Sequence, residues 1–366
     1  MDFSLVFLDP VLKHGIFMSF WTQLPKPIIA LAPMAGVCDS PFRRICKQHG
    51  ADVIYTEFLS AEALIRNNKK TLEMLRFSPE EQPLVCQIFG KTPETIAQAA
   101  KIIEDSGYSG IDLNFGCPAY KVVKTGGGVS LMRNLNKVHD IIAATMATVT
   151  IPVSIKIRAR IGLKTVIRDL IEERDSEDEK LESSGEVTAL DLIKKISDLN
   201  VPAIMLHSRS YEQAFDGTPD LAMVKAARRI YSGTLIVNGG IYAPEEAKKQ
   251  LDETGADGVG LARGVQGNPW LFQQIKEYLA NPTEILKFRN SELPPDLPRY
   301  TTPTWNDIKK TMLAHAQLAL DWQGQGALIE IRKHLAWYIK STPGAKELRS
   351  KLVQVKNFED IEKILE

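Results

Sequence analysis

Cys117 stands at a position in the chain where a reactive thiol is expected rather than a structural one. It follows a run predicted to be a strand, between Gly116 and Pro118, and a triple glycine comes soon after at residues 126–128. A structural cysteine is more often packed within an element, as we predict for Cys86. No convincing set of His and Asp or Asn accompanies the thiol, so a nucleophile is disfavoured. A thiol with a pKa of about 8.5 can release a proton near neutral pH, and the pattern therefore favours an acid.

Further polar or glycine-rich residues stand at the ends of seven of the eight runs predicted to be strands. In chain order these residues are Pro33, Met34, Ala35, Gln87, Asn114, Lys156, Arg158, His207, Arg209, Asn238, Gly239, Gly240, Ala262 and Arg263. A lone glutamine or histidine at a strand end is more often a structural group with its own hydrogen bonds. Lys156 is harder to explain in that way, because an ammonium inside a buried strand must be paired. Their joint occurrence indicates one shared pocket.

The last two strand ends indicate what the pocket holds. Loops after the seventh and eighth strands of a barrel commonly bind phosphate groups against backbone N–H groups. Gly239 and Gly240 let the backbone approach closely, and Arg263 adds a fixed positive charge. The chain has no phosphate loop of the GxxxxGK[ST] kind, and the glycines of residues 258–264 have the wrong spacing for a dinucleotide fingerprint. A phosphorylated cofactor in a barrel fits better than a nucleotide in a doubly wound sheet.

The elements that must position these residues alternate along the chain. Short runs rich in Val, Ile and Leu are separated by segments with apolar residues at three- and four-residue spacing, which predicts a parallel sheet covered on both faces. Eight such units match an α/β fold of the (β/α)8 barrel type, and a doubly wound sheet is the alternative. The predicted strands are residues 28–32, 53–56, 84–88, 110–114, 153–157, 203–206, 235–237 and 258–261.

The sequence divides into a barrel and a smaller helical domain. We predict an N-terminal extension over residues 1–24 and a barrel over residues 25–280. An acidic, Ser-containing stretch at residues 168–186 is expected to be a solvated insertion in a βα loop. Residues 281–304 are rich in Pro, Asn and Ser and are predicted to be a linker. Residues 305–366 show helical periodicity without strand signals and are predicted to form the second domain.

Composition restricts the class of protein. The 366 residues carry 45 basic and 45 acidic side chains, and 44% are hydrophobic, which excludes a disordered tail, a collagen-like repeat and a disulfide scaffold. A net charge of zero gives no overall attraction to nucleic acid, so RNA binding needs a local basic patch. Four cysteines without a CxxC pair predict no metal site and fit a reducing cytoplasm. No apolar run approaches eighteen residues, so we expect no membrane span. For the oligomeric state, a monomer is the default expectation.

Taken together, these motifs resemble those of the flavin-dependent tRNA dihydrouridine synthases, and they are most like the bacterial B-type branch. The resemblance extends over residues 27–349, and the cysteine motif with the C-terminal block is its specific part. The matching runs are APMAGVCDSPFRR (residues 32–44), QIFG (87–90), DLNFGCP (112–118), IKIR (155–158), LHSR (206–209), NGGI (238–241), ARGVQGNPW (262–270) and RKHLAWYIKSTPGAKELR (332–349).

The resemblance implies an FMN-binding barrel with a helical domain that holds tRNA. Members reduce the C5–C6 double bond of selected uridines, with NADPH as the source of hydride for the flavin. Hydride would then pass from the flavin to C6 of the uracil, while Cys117 gives a proton to C5 and Asn114 lines the same pocket. The positions implied to contact FMN are Pro33, Met34, Ala35, Gln87, Lys156, His207, Asn238, Gly239, Gly240, Ala262 and Arg263.

Substrate contacts are expected from the barrel mouth and from the helical domain. Arg158 and Arg209 are the candidates at the mouth. Arg332, Lys333 and His334 open a local basic cluster that continues at Lys340, Lys346, Arg349 and Lys351, where we expect contacts to phosphate and sugar.

Two other functions are compatible with parts of this pattern. An FMN-dependent dihydroorotate or dihydropyrimidine dehydrogenase shares the pyrimidine chemistry but acts on free small molecules and does not need the C-terminal basic block. An RNA-binding protein that has lost catalysis would lack the acid or the flavin site, whereas Cys117, Lys156 and Arg263 are all present.

Overall fold

Eight parallel strands close into a barrel at the centre of the protein. The computed structural model describes residues 19–162, 185–280, 300–340 and 342–366. Its strands are β1 (Ile28–Leu31), β2 (Val53–Tyr55), β3 (Leu59–Ser60), β4 (Leu84–Phe89), β5 (Gly110–Asn114), β6 (Val153–Gly162), β7 (Glu186–Thr188), β8 (Ala203–Ser210), β9 (Thr234–Asn238) and β10 (Gly258–Leu261). The sheet order is β2-β1-β10-β9-β8-β6-β5-β4, and β2 also pairs with β4, which closes the ring. The predicted (β/α)8 fold is confirmed, and the closing pair excludes an open doubly wound sheet.

The strands are apolar on both faces because one face packs inside the barrel and the other packs against the helices. Ala30, Tyr55 and Met205 belong to the small cluster inside the barrel, whereas alternate residues such as Ile29 and Ile54 pack outward against the helices. The apolar runs in the sequence reflect this double burial, which is typical of parallel sheets.

The N-terminal end of the barrel is closed by a short helix, α1 (Phe20–Gln23). Trp21 is buried in the interior cluster, and the Phe20 ring lies 3.2 Å from the position that a Cβ on Gly110 would take. These residues therefore pack as part of the barrel, although the sequence analysis placed them in an extension. The rest of that extension, up to residue 18, lies outside the described residues.

Helices cover the outer face of the barrel. In α5, Thr92 caps the first turn and Pro93 occupies a first-turn position, while Ile96, Ala99 and Ile103 form the buried stripe. These helices are α2 (Ser40–Gln48), α3 (Ala61–Ile65), α4 (Lys69–Met74), α5 (Pro93–Asp105), α6 (Tyr120–Lys124), α7 (Leu135–Thr148), α8 (Ala189–Lys195), α9 (Leu221–Ile230), α10 (Pro244–Thr254) and α11 (Leu271–Ala280).

Two strands extend beyond the barrel mouth further than predicted. β6 continues to Gly162 and pairs with the antiparallel strand β7, while β8 continues to Ser210. The polar residues there look like loop residues in the sequence, but Arg160 on β6 forms ion pairs with Glu186 and Asp220. Residues 168–184 of the predicted acidic insertion lie outside the described residues, so only its last two residues, at the start of β7, are described.

The C-terminal helices form a second core that docks on the barrel. They are α12 (Trp305–Gln323), α13 (Ala327–Tyr338), α14 (Ala345–Leu352) and α15 (Phe358–Leu365). Met312, Leu335 and Ile361 are fully buried among them, and Trp270 from the barrel packs against this core. The helical prediction is confirmed for the part of residues 305–366 that the structure describes, whereas residues 281–299 of the predicted linker lie outside it. No described helix combines the length and apolarity needed to cross a membrane.

Candidate active site

A cavity of about 540 Å³ opens at the carboxyl ends of the barrel strands. This volume suits a small organic ligand or cofactor. The cavity brings together every barrel residue predicted at the strand ends: Pro33, Met34, Ala35, Gln87, Asn114, Cys117, Lys156, Arg158, His207, Arg209, Asn238, Gly239, Gly240, Ala262 and Arg263. The structure thus confirms that these residues surround one pocket.

A chain of buried hydrogen bonds holds the cysteine loop. The Gln87 amide donates to Asp112 at 2.7 Å, and the Asn114 amide donates to the Gln87 carbonyl oxygen at 2.9 Å. The Asn114 oxygen then accepts from the backbone N–H groups of Cys117 at 2.8 Å and Gly116 at 3.1 Å. Burial raises the pKa of Asp112 to about 6, which still leaves it mainly a carboxylate at neutral pH. An ionised carboxylate only accepts, so it sets the direction of the whole chain.

The Cys117 thiol lies half-buried on one wall of the cavity. Burial raises its pKa above the ordinary value, and Arg158 and Lys156 oppose this shift only in part. The thiol is therefore protonated at neutral pH and can act as an acid. Gly128 of the triple glycine packs directly on this loop, because a Cβ there would lie 2.8 Å from the Cys117 carbonyl oxygen.

Lys156 lies on β6 and reaches across to the seventh strand of the barrel. Its ammonium donates to the Asn238 side-chain oxygen at 3.1 Å, and the Asn238 amide donates to the Gly260 carbonyl at 2.8 Å. Burial, together with the neighbouring Arg158, lowers the pKa of Lys156 to about 8. The lysine is charged at neutral pH, yet it is close enough to its pKa to respond to a bound anion.

Several cationic side chains line the cavity. In the described part of the chain, Lys156, Arg158, Arg209 and Arg263 form no ion pair with a carboxylate. Burial and these four charges lower the pKa of His207 to about 2, so this imidazole is neutral. Unpaired positive charge around a cavity favours an anionic ligand.

Gly239 brings the backbone close to these basic side chains. Its φ is +110°, and a Cβ would lie 2.7 Å from His207 Cδ2 and 3.1 Å from an Arg209 nitrogen. Only glycine combines that backbone conformation with that approach. The close backbone and the adjacent arginines form the cradle that a phosphate group needs.

Aromatic side chains at the mouth are the part of the site that the sequence analysis missed. Phe215 is 52% exposed and Tyr242 is 50% exposed, and both line the cavity. The guanidinium carbons of Arg158 and Arg263 lie 5.6 Å and 5.7 Å from the centre of the Phe215 ring. Both aromatics lie in loops whose path depends on the tertiary structure. An aromatic directly after the Asn-Gly-Gly-Ile run was the one available signal.

Arg158 has a different role from the substrate contact predicted for it. Its side chain is 2% exposed, and its nitrogens donate to the carbonyls of Gly116 at 2.8 Å, Ser210 at 2.8 Å and Ala214 at 2.7 Å. The guanidinium is thus used to hold the cysteine loop and the loop after β8 together.

The predicted contact of His334 with RNA is wrong. This histidine is 2% exposed and packs between the helical domain and the barrel, with its ring centre 5.1 Å from that of Phe42. Arg332 donates two hydrogen bonds to the Val355 carbonyl and is half-buried, as is Lys333. The apolar side of α13 faces the barrel, so the basic run of the sequence does not form one exposed patch. The exposed members of the cluster are Lys340, Lys346, Arg349 and Lys351.

Comparison with known proteins extends the resemblance seen in the motifs. Residues 30–366 match the family model described as dihydrouridine synthase. The chain is 33% identical over 334 residues to tRNA-dihydrouridine synthase B of Xanthomonas campestris pv. campestris, covering 90% of this chain and 88% of that protein. It is 32% identical to tRNA-dihydrouridine synthase B of Vibrio vulnificus, covering 89% and 90%, and 29% identical to probable tRNA-dihydrouridine synthase 1 of Synechocystis, covering 99% and 95%.

A solved structure shares the fold alone. Histamine dehydrogenase from Rhizobium sp. 4-9 superposes with a TM-score of 0.50 at 12% identity, covering 80% of this chain and 49% of that one.

Proposed function

Because the chain belongs to the dihydrouridine synthase family, we propose that it reduces the C5–C6 double bond of selected uridines in tRNA. The observation that carries this proposal is the position of a protonated thiol, Cys117, in the same cavity as a cluster of cations that form no ion pair with a carboxylate. Reduction of a pyrimidine double bond needs both a hydride donor and a proton donor. The cavity has room and charge for the first, and Cys117 provides the second.

The cavity residues fit FMN as the resident cofactor. Arg209, Arg263 and the glycine pair 239–240 would hold its phosphate, since they combine positive charge with close backbone approach. The apolar strand ends at Pro33, Met34 and Ala35 would contact its ring, and Gln87 and Asn238 offer hydrogen bonds. When bound, the flavin supplies hydride to C6 of the uracil, and we propose NADPH as its reductant. Lys156 would stabilise the negative charge that a reduced flavin carries.

Cys117 would donate its proton to C5 of the uracil. The raised pKa keeps the thiol protonated, and Asn114 fixes the backbone of its loop through two hydrogen bonds. The chain Asp112–Gln87–Asn114 excludes alternative amide orientations, so the acid keeps one position as substrate enters. His207 remains neutral and acts as a hydrogen-bonding group rather than as a charge.

The uridine must leave the base stack to reach the cavity. Phe215 and Tyr242 are exposed at the mouth and offer aromatic faces to an extruded base or its neighbour. We propose that residues 25–280 carry the chemistry and that residues 305–366 hold tRNA, with residues 281–304 as the linker. The exposed Lys346 and Arg349 would contact phosphates.

An anaerobic titration tests this function. The purified protein is reduced with NADPH under spectrophotometric observation and then mixed with unmodified tRNA. We expect a flavin spectrum that bleaches with NADPH and returns with tRNA as dihydrouridine forms. A flavin that ignores tRNA but is reoxidised by free orotate or uracil would replace the proposal with a small-molecule dehydrogenase. A purified protein that neither contains FMN nor binds added FMN would overturn the cofactor assignment.

A further inference from the structure

Three potential metal ligands meet where the helical domain docks on the barrel. Asp39 precedes α2 of the barrel, His315 lies on α12, and His334 lies on α13. One donor atom from each residue lies within 4.8 Å of the other two. The group is separate from the cavity described above, since none of the three residues lines it.

The histidines of this group are buried with ring nitrogens that have no partner. His315 is fully buried and His334 is 2% exposed. Neither nitrogen of His334 forms a hydrogen bond, and neither does Nε2 of His315. Buried polar atoms in proteins almost always have a partner, because a buried atom without a hydrogen bond has lost its contact with water and gained nothing in return. Three such atoms side by side indicate that something binds them.

The remaining contacts orient these nitrogens as metal ligands are usually oriented. His315 Nδ1 lies 3.1 Å from the Tyr338 hydroxyl, and if Nδ1 is the protonated nitrogen, Nε2 presents its lone pair. An outer partner on the second ring nitrogen is the usual arrangement for a metal-binding histidine. Asp39 uses one oxygen to cap α2 at the Phe42 amide, at 3.0 Å, which leaves its other oxygen for a ligand.

We propose that Asp39, His315 and His334 bind a zinc-type divalent cation that joins the helical domain to the barrel. Two imidazoles and one carboxylate, with water as a fourth ligand, form a donor set typical of zinc, whereas calcium and magnesium prefer oxygen ligands alone. The sequence analysis predicted no metal. Asp39 caps a helix of the barrel, whereas His315 and His334 lie on two helices of the C-terminal domain, so no short motif could reveal the group.

The charges around the group permit this assignment. Glu57 and Asp39 contribute negative charge, and Arg43 is already paired with Glu81 at 2.5 Å. Lys333, on α13, lies close to the group, and its positive charge lowers the affinity of the group for a cation. Ligand atoms of tetrahedral zinc are about 3.3 Å apart, so the side chains must move closer by small rotations.

The test measures metal content in the full-length, flavin-bound protein. The protein is stripped with a chelator, reloaded with micromolar zinc, desalted and assayed by mass spectrometry of the metal. We expect about one zinc per chain, imidazole scattering at the zinc X-ray absorption edge, and a Tm about 3–6 °C higher than that of the stripped protein.

Matched variants identify the ligands. His334→Gln and His315→Gln should each lower zinc binding at least tenfold, while His49→Gln, a half-buried histidine that packs on Trp270 outside the group, should retain it. If the ligand variants fail to fold, the stripped and reloaded wild-type protein still decides the question. Wild-type protein that retains less than about 0.1 zinc per chain, with an unchanged Tm, would overturn the proposal and leave buried water as the partner.

Discussion

The backbone amide of Cys117 donates to the side-chain oxygen of Asn114 at 2.8 Å, so the residue that carries the thiol is held by the strand it follows. This bond is the last in a chain of fixed direction that begins at the Asp112 carboxylate and passes through Gln87. The position of the acid therefore depends on a buried carboxylate that lies beneath the cavity and has no place among its lining residues.

Reversing the direction of these hydrogen bonds tests their importance for stability and for uridine reduction. Asn114→Asp removes the amide that donates to Gln87 and should destabilise the protein by about 1–3 kcal/mol while lowering uridine reduction. Adding Asp112→Asn should restore both properties, because Gln87 can then turn over, donate to the new carboxylate at position 114 and accept from the new amide at position 112. Urea unfolding and single-turnover rates measure the effects. Additive losses in the double variant would show that the chain does not act as a unit.

Cys117→Ala should lower the rate of uridine reduction by about 10²–10⁴ while leaving FMN and tRNA binding intact, because it removes only the proton donor. Cys86→Ala is the control, since that thiol is buried in β4 away from the mouth. Rapid mixing of the reduced enzyme with tRNA gives the rate. Because burial raises the pKa of Cys117, the wild-type rate should not fall between pH 6 and pH 8 from loss of this proton. A rate that rises with thiol deprotonation would contradict the acid role.

Raising the pH should weaken cofactor binding through Lys156. Its pKa of about 8 means that the charge is present below about pH 7 and is lost as the pH rises through 8. FMN affinity, followed by flavin fluorescence, should fall above pH 8 in the wild type and be lower but less pH-dependent in Lys156→Met.

Thermal unfolding of the flavin-free protein provides the control for that experiment. The folded pKa lies below the ordinary 10.5, so the unfolded chain binds more protons between pH 8 and pH 10.5. Lys156 therefore adds stability as the pH rises through this window, opposite to its effect on FMN affinity. If FMN affinity and the stability of the flavin-free protein fall together above pH 8, alkaline unfolding rather than loss of the Lys156 charge would explain the weaker binding.

Gly239→Ala should abolish FMN binding, because the new methyl group would lie 2.7 Å from His207 and the backbone has a φ of +110°. The positive φ alone costs about 1–3 kcal/mol. Gly324→Ala is the matched control, since its φ is +67° and nothing lies within 4 Å. Equilibrium dialysis with FMN and thermal unfolding separate the two effects. Equal FMN affinity in both variants would remove Gly239 from the cofactor site.

Lys346→Ala and Arg349→Ala should each weaken tRNA binding and lower the salt dependence by about one unit in the slope of log K against log salt. Both side chains are exposed on α14. Lys249→Ala, an exposed lysine on α10 of the barrel, is the control. Filter binding at several salt concentrations measures the slope. An unchanged slope in all three variants would place the RNA elsewhere on the protein.

The sequence was sufficient to predict the barrel because its strands are buried on both faces, which leaves continuous runs such as that of residues 28–31. It also predicted the cavity residues, since parallel strands deliver their carboxyl ends to one side. It could not reveal that Arg158 bonds to three backbone carbonyls, because those carbonyls belong to loops whose paths are set by tertiary packing. For the same reason the run Arg332–Lys333–His334 looked like one exposed basic patch, whereas the helix turns His334 inward.

The three hydrogen bonds of Arg158 also join two loops at the mouth of the cavity. One guanidinium ties the carbonyl of Gly116, next to the acid, to those of Ser210 and Ala214, next to the aromatic Phe215. The loop that carries Cys117 and the loop that carries Phe215 therefore cannot be displaced independently without breaking a hydrogen bond of this guanidinium.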